Sequence, residues 1–157
     1  MHAEPGKEHE WLKQFVGEWT YESQCDMGPD TPRETFTGRE RVSMLGPFWV
    51  VLDGEGEMPG GGDAFTRMTL GYDPAKGYVG SWIGSMMPFM WVYDGTLSED
   101  GRTLTLETEG PNFSGEGMTT YHDVVSIVSE NERTLTSRMK SEDGSFKEFV
   151  WVRYRRV

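Results

Sequence analysis

Cysteine is almost missing from this chain. Cys25 is the only one, so no disulfide can close within the molecule. Positive charge is short as well: 15 Lys and Arg stand against 26 Asp and Glu, for a formal charge of -11. A field of that sign repels phosphate backbones and anionic lipid, so no nucleic-acid partner and no membrane surface are expected. The small cluster Arg153, Arg155 and Arg156 does not outweigh it. Long apolar runs are absent too, and none approaches the roughly 18 residues a membrane helix needs. The opening Met1-His2-Ala3-Glu4-Pro5 lacks the basic-then-apolar order of a secretory leader. Together these absences predict a cytoplasmic protein.

What is present points to one β domain over residues 1–157. Aromatics make up 13% of the chain, enough apolar surface to offset the entropy of ordering it. Trp11, Leu12, Phe15 and Val16 recur at helical spacing before Gly17, which predicts a helix over 7–16. Beyond Gly17 the pattern becomes short runs of Thr, Val, Tyr, Trp and Phe separated by turn residues. Ten strands are expected, at 18–26, 34–45, 48–57, 64–72, 78–86, 89–97, 103–109, 118–128, 134–141 and 146–155. The fold class that follows is all-β: a closed, antiparallel, up-and-down barrel of about ten strands over 18–156, with a short N-terminal helix. In such a meander the longer Gly- and Pro-rich loops, such as Met27–Arg33 and Gly110–Gly117, share one end. The helix enters at the other, so the barrel is expected to be plugged at one end and open at the other.

The segment Leu12-x-x-x-x-Gly17-x-Trp19 resembles the entry of lipocalin-like (calycin) barrels. That resemblance implies that Trp19 packs beneath an arginine of the last strand. An even number of antiparallel strands does bring the end of the tenth beside the start of the first. Arg153 or Arg155 is expected to close the barrel over the Trp19 ring, and a guanidinium from Arg153, Arg155 or Arg156 is expected near it. Over nearly the whole chain, Gly17-Glu18-Trp19-Thr20, Gly71-Tyr72-Asp73-Pro74, Gly80-Ser81-Trp82, Tyr93-Asp94-Gly95, Asp143-Gly144 and Arg153-Tyr154-Arg155-Arg156 follow in order. This series resembles the bacterial family known as domain of unknown function fifteen-seventy-nine, which implies a lipocalin-like barrel and no established activity. The related heme barrel nitrobindin also opens with Gly-x-Trp. Its pattern continues with Gly-x-Gly-x-Tyr-Pro and ends with an iron-binding histidine. Here Thr20-Tyr21-Glu22-Ser23 follows, and no histidine comes after His122, so no cofactor is expected.

Strand parity supplies the candidate site. Phe36, Met68, Trp82, Trp91 and Phe149 are expected to line the open half of the barrel as ligand-binding residues. Glu40, between Arg39 and Arg41, shares parity with Phe36, Val42 and Met44; an inward carboxylate there would mark a functional site, with pairing to an inward cation and a bulge at Gly38 that turns it outward as the other readings. His122 is the other weak catalytic candidate, with a surface strand histidine as the plain alternative. His2, His9, Glu4, Glu8 and Glu10 cluster near the start, but His9 and Glu10 diverge on a helix, so no metal site is expected. Cys25 has no Lys, Arg or His beside it in sequence to stabilise a thiolate and reads as a small apolar residue. Met58-Pro59-Gly60-Gly61-Gly62-Asp63 lacks the Lys and the helix of a phosphate cradle. Met86-Met87-Pro88-Phe89-Met90-Trp91 reads as an adaptable apolar rim, serving either as a ligand portal or as a homodimer patch.

The function read from these residues is non-catalytic binding of a small apolar or amphipathic molecule inside the barrel. An isomerase-like acid/base enzyme using Glu40 and His122 is the alternative from another class. A packed barrel acting as a dimeric interaction protein is the third.

Overall fold

The computed structural model describes residues 3–26 and 28–157. His2, one member of the N-terminal His/Glu group, and Met27, the start of the first loop, lie outside the described residues, as does Met1. A short helix α1 (Lys7–Leu12) tightens into a 3-10 turn at Lys13–Phe15. Ten strands follow: β1 (Gly17–Cys25), β2 (Thr35–Leu45), β3 (Trp49–Glu57), β4 (Asp63–Asp73), β5 (Gly77–Gly84), β6 (Met87–Leu97), β7 (Thr103–Pro111), β8 (Met118–Ser129), β9 (Glu132–Lys140) and β10 (Phe146–Arg156). Each strand pairs with its sequence neighbours, and β1 closes the barrel against β10.

The expected single helix over 7–16 is thus shorter, and the reason is local. The Trp11 indole N–H donates to Gly101 O at 2.8 Å, which pins the helix to the β6–β7 turn. Tightening to 3-10 geometry after that point drives Phe15 into the barrel. Leu12 and Phe15 are fully buried and form the plug. His9 is a second anchor. Its Nδ1 accepts from the Gly6 backbone N–H at 2.9 Å, which leaves Nε2–H to donate to Tyr72 O at 3.0 Å. Both ring nitrogens therefore serve the helix start. Among the described helices none is long and apolar enough to cross a membrane.

Gly17 makes the turn from plug to barrel with a φ of 139°, a conformation that favours glycine. Trp19 follows on the inner face, 2% exposed, and its indole N–H donates to Phe15 O at 2.9 Å. The last-strand arginine over its ring is Arg156, 4.2 Å from the centroid, and not Arg153 or Arg155. Register explains this correction. Trp19 pairs with Arg156, so alternation puts Arg156, Tyr154 and Val152 on the inner side and turns Arg153 and Arg155 outward. Those two lie near Glu132 instead, at 3.9 and 3.8 Å. Arg156 also donates to Val16 O at 2.6 Å, Gln14 O at 2.8 Å and Glu130 O at 3.2 Å. It satisfies carbonyls that the end of the plug leaves free.

One seam is short. β6 and β7 share a register only over Asp94–Leu97 against Leu104–Glu107. The outer half of β6, from Met87 to Tyr93, has no register partner on β7.

The Arg156 contacts make a testable difference between neighbours. Arg156→Ala is expected to lower unfolding stability by about 1–3 kcal/mol in chemical denaturation, through loss of the ring contact and the carbonyl bonds. Arg153→Ala, an exposed change, is expected to stay within about 0.5 kcal/mol.

Candidate functional site: a tiered cavity inside the barrel

Ten strands enclose more room than their side chains fill. The interior holds a cavity of about 540 Å³ that reaches the open end. Its wall comes in three tiers, because inward residues recur every second position along each strand.

The mouth is aromatic and thioether. Trp82, Met86, Met87, Trp91, Phe113, Tyr121 and Phe149 border it. Trp82 and Trp91 are register partners on β5 and β6. The rings of Trp91 and Tyr121 meet edge-on at 4.9 Å, Phe113 and Phe149 at 5.0 Å, and Tyr121 and Phe149 at 6.0 Å. Trp91 lies across the short β6–β7 seam, where a Cβ at Gly110 would overlap its ring. This is a close approach that requires glycine. The Trp91 indole N–H is held by the Met87 sulfur at 3.2 Å.

The middle tier is a carboxyl. Asp123 projects from β8 two residues below Tyr121, on the same face, and borders the cavity. Tyr93 donates to one oxygen at 2.5 Å and Ser137 to the other at 2.5 Å. Burial pushes the Asp123 carboxyl above the ordinary carboxylate range, and the two hydroxyls draw it back only in part. Burial and the neighbouring Asp123 push the Tyr93 phenol far up, so it stays protonated and donates. Thr108, opposite Tyr121 on β7, has a buried hydroxyl without a partner among the described residues.

The floor is an ion pair under rings. The Arg133 guanidinium donates to the Glu40 carboxylate, and both side chains are buried. Arg133 lies over Tyr154 at 4.0 Å and Trp19 at 4.5 Å, with Phe15 at 5.4 Å. Desolvation raises the Glu40 carboxyl, while Arg133 pulls it the other way. Arg133 Nη1 has no hydrogen-bond partner among the described residues and is boxed in by the rings instead.

The residues expected from sequence divide cleanly by position. Met68, Trp82, Trp91 and Phe149 border the cavity; Phe36 sits on β2 opposite Ser23 and does not. Glu40 points inward, bound to Arg133. His122 points outward, one position from Asp123. It is held by Glu107 at 3.1 Å and Arg138 at 3.0 Å and stacks on Phe146 at 4.3 Å. Glu40 and His122 are therefore not brought together. No histidine among the described residues borders the cavity, so His122 does not offer an axial ligand to a heme placed there. Cys25 borders the cavity, and burial pushes its thiol up. Asp123 and Arg133 stand in no motif of the sequence, and Tyr93 stands there only in the series Tyr93-Asp94-Gly95, with no role at a site.

The residues on the back of the mouth strands are also apolar. Phe65, Ile83, Met90 and Val92 face outward, with Met90 60% and Val92 63% exposed. The apolar parity of β5 and β6 is thus two-sided, and the competing surface lies outside the wall.

Comparison with known proteins fits this architecture. The family described as "Protein of unknown function (DUF1579)" matches residues 4–156. The chain belongs to that family. No curated protein matches the chain by sequence. Among solved structures, Rv2717c from M. tuberculosis superposes with a TM-score of 0.71 at 12% identity, over 98% of this chain and 99% of that one. A designed barrel, EF1p2_mFAP2b bound to DFHBI, gives a TM-score of 0.51 at 10% identity, over 95% and 98%. At these identities the likeness concerns the fold of this family member alone.

The raised Asp123 carboxyl has a signed consequence. Where the unfolded chain has released this proton and the folded chain still holds it, stability falls as pH rises. The window runs from the ordinary carboxylate value upward through the raised one. Asp123→Asn, whose amide oxygen still accepts from one of the two hydroxyls while its NH2 donates to the other, is expected to gain stability over the parent as pH rises through that window. Glu40 contributes a slope of the same sign to both proteins, so the difference in denaturant midpoint between them isolates Asp123.

Proposed function

We propose that this barrel binds one small amphipathic molecule in its interior and does not transform it. The observation that carries the reading is the cavity itself: about 540 Å³, apolar at the mouth and polar below. Pockets of that size and lining suit a small organic ligand. The polar groups beneath are mostly spent on one another, Glu40 on Arg133 and Asp123 on Tyr93 and Ser137. Such a set orients a ligand rather than attacks it. The acid/base alternative has less support, because His122 lies on the far side of the wall from Glu40. The designed barrel among the structural neighbours is bound to DFHBI, so a barrel of related fold holds a small ligand.

Titration with a neutral naphthyl dye, followed by its fluorescence, is expected to saturate at one per chain. Trp82→Ala and Trp91→Ala are each expected to weaken the dye by about 1–3 kcal/mol, with folding preserved by circular dichroism. His122→Ala is expected to leave the affinity unchanged. Absence of saturable binding, or binding indifferent to both tryptophans, contradicts the reading.

A further inference from the structure

The charges that border the cavity do not cancel. Among the described residues Arg133 is the one cation on the wall, and it already belongs to Glu40. Asp26 at the rim has Lys147 within 3.9 Å. Asp123 has none: no ion pair among the described residues includes it, and only the hydroxyls of Tyr93 and Ser137 reach it. A carboxyl buried without a cation is costly in its charged form. Directly above it stand the rings of Tyr121 and Trp91, with Phe149 and Phe113 beyond. Aromatic faces attract cations, and most strongly where water is excluded. The Thr108 hydroxyl, buried without a partner among the described residues and opposite Tyr121 in the register, is a further oxygen on the same wall. A metal ion does not suit the place, since no three His, Cys, Asp or Glu side chains among the described residues converge as ligands would.

We propose that the ligand is an organic cation, with an ammonium head at Asp123 and an apolar body among Trp82, Trp91, Tyr121 and Phe149. The proposal rests on the reading of the cavity as a binding site and names its ligand class. Two surrounding facts agree with it. The chain carries a formal charge of -11, which draws cations toward its mouth. The floor offers an anion little, because Glu40 already neutralises Arg133 and the rings of Trp19 and Tyr154 cover it.

The chemistry also predicts a proton count. A cation beside Asp123 favours the ionised carboxyl, so binding a permanently charged ligand releases whatever proton the free site holds. The groups that face Asp123 are Tyr93 from β6, Ser137 from β9, Tyr154 from β10 and its register partner Leu106 from β7, with Thr108 two residues along that strand; Tyr121 shares its face and His122 stands behind it on β8. The phenols of Tyr93, Tyr121 and Tyr154 are all raised, so they do not titrate near neutral pH. The Glu40–Arg133 pair lies below, and Asp26 with Lys147 lies above at the rim. His122→Ala removes the histidine behind Asp123 on β8.

The test uses three matched probes on the full chain: a phenylalkyl trimethylammonium, its neutral tert-butyl isostere and the corresponding carboxylate. Affinities are read by displacement of the neutral naphthyl dye and by calorimetry. The ammonium is expected to bind about tenfold or more tighter than the isostere, with the carboxylate weakest. In Asp123→Asn the ratio of ammonium to isostere is expected to fall to about one, whereas the outward Glu107→Gln, which removes the same charge from the surface, keeps the parent ratio. Calorimetry in buffers of different ionisation heat is expected to show proton release by the parent and by His122→Ala, and none by Asp123→Asn. An isostere or carboxylate that binds as well as the ammonium, or an ammonium preference that survives Asp123→Asn, overturns the proposal. If the dye binds and the preference is absent, the ligand class alone is wrong. If neither dye nor ammonium binds, the cavity reading falls with it.

Discussion

A guanidinium has been taken out of water at the closed end of the barrel, and the rest of the interior is arranged around it. Arg133 cannot be left alone there, because a buried unpaired charge costs several kcal/mol. Glu40 answers its charge, and Tyr154 and Trp19 cover its faces at 4.0 and 4.5 Å. That requirement fixes β2, β9, β10 and the start of β1 relative to one another. It also sets the depth to which Phe15 descends, since the plug must meet the same group. Arg156 repeats the arrangement one layer out, with Trp19 between the two guanidinium groups. The closed end is therefore a stack of cations and rings, and the free volume is left to the other end.

The open half follows from that division. Its strands carry large aromatics that meet edge-on around the mouth rather than filling the axis. The short seam between β6 and β7 is covered by the Trp91 ring lying on Gly110. A carboxyl at mid-depth then sits where apolar wall gives way to polar floor. Orientation of an amphipathic guest is a direct outcome of such layering, since one end of the guest is wetted by oxygen atoms and the other by rings and sulfur.

Much of the fold was legible because strands separated by Gly, Pro and Asp turns leave a period that can be counted. Ten were expected and ten are present, with ends differing by a residue or two. The inner face was legible where one parity was plainly apolar. Glu40 shares its parity with Phe36, Val42 and Met44, which favours the inside, but a bulge at Gly38 would turn it outward, so parity alone left its facing open. The site was less legible where a single residue of register decides the facing. In β8, Tyr121-His122-Asp123-Val124-Val125 has apolar residues on both parities, and an aspartate in mid-strand reads as outward. Arg133 was hidden by a boundary, because a strand that begins at Thr134 leaves it in a turn, whereas β9 begins at Glu132. The same single step separates Arg155 from Arg156 at the end of β10.

The central claim is that the apolar face inside the wall, and not the one outside it, receives the ligand. Nuclear Overhauser contacts between a bound naphthyl dye and the assigned side chains test this most directly. The account predicts contacts to the rings of Trp82, Trp91, Tyr121 and Phe149 and none to Ile83 or Val92. Contacts to Phe65, Ile83, Met90 and Val92, with the inner rings silent, would contradict it.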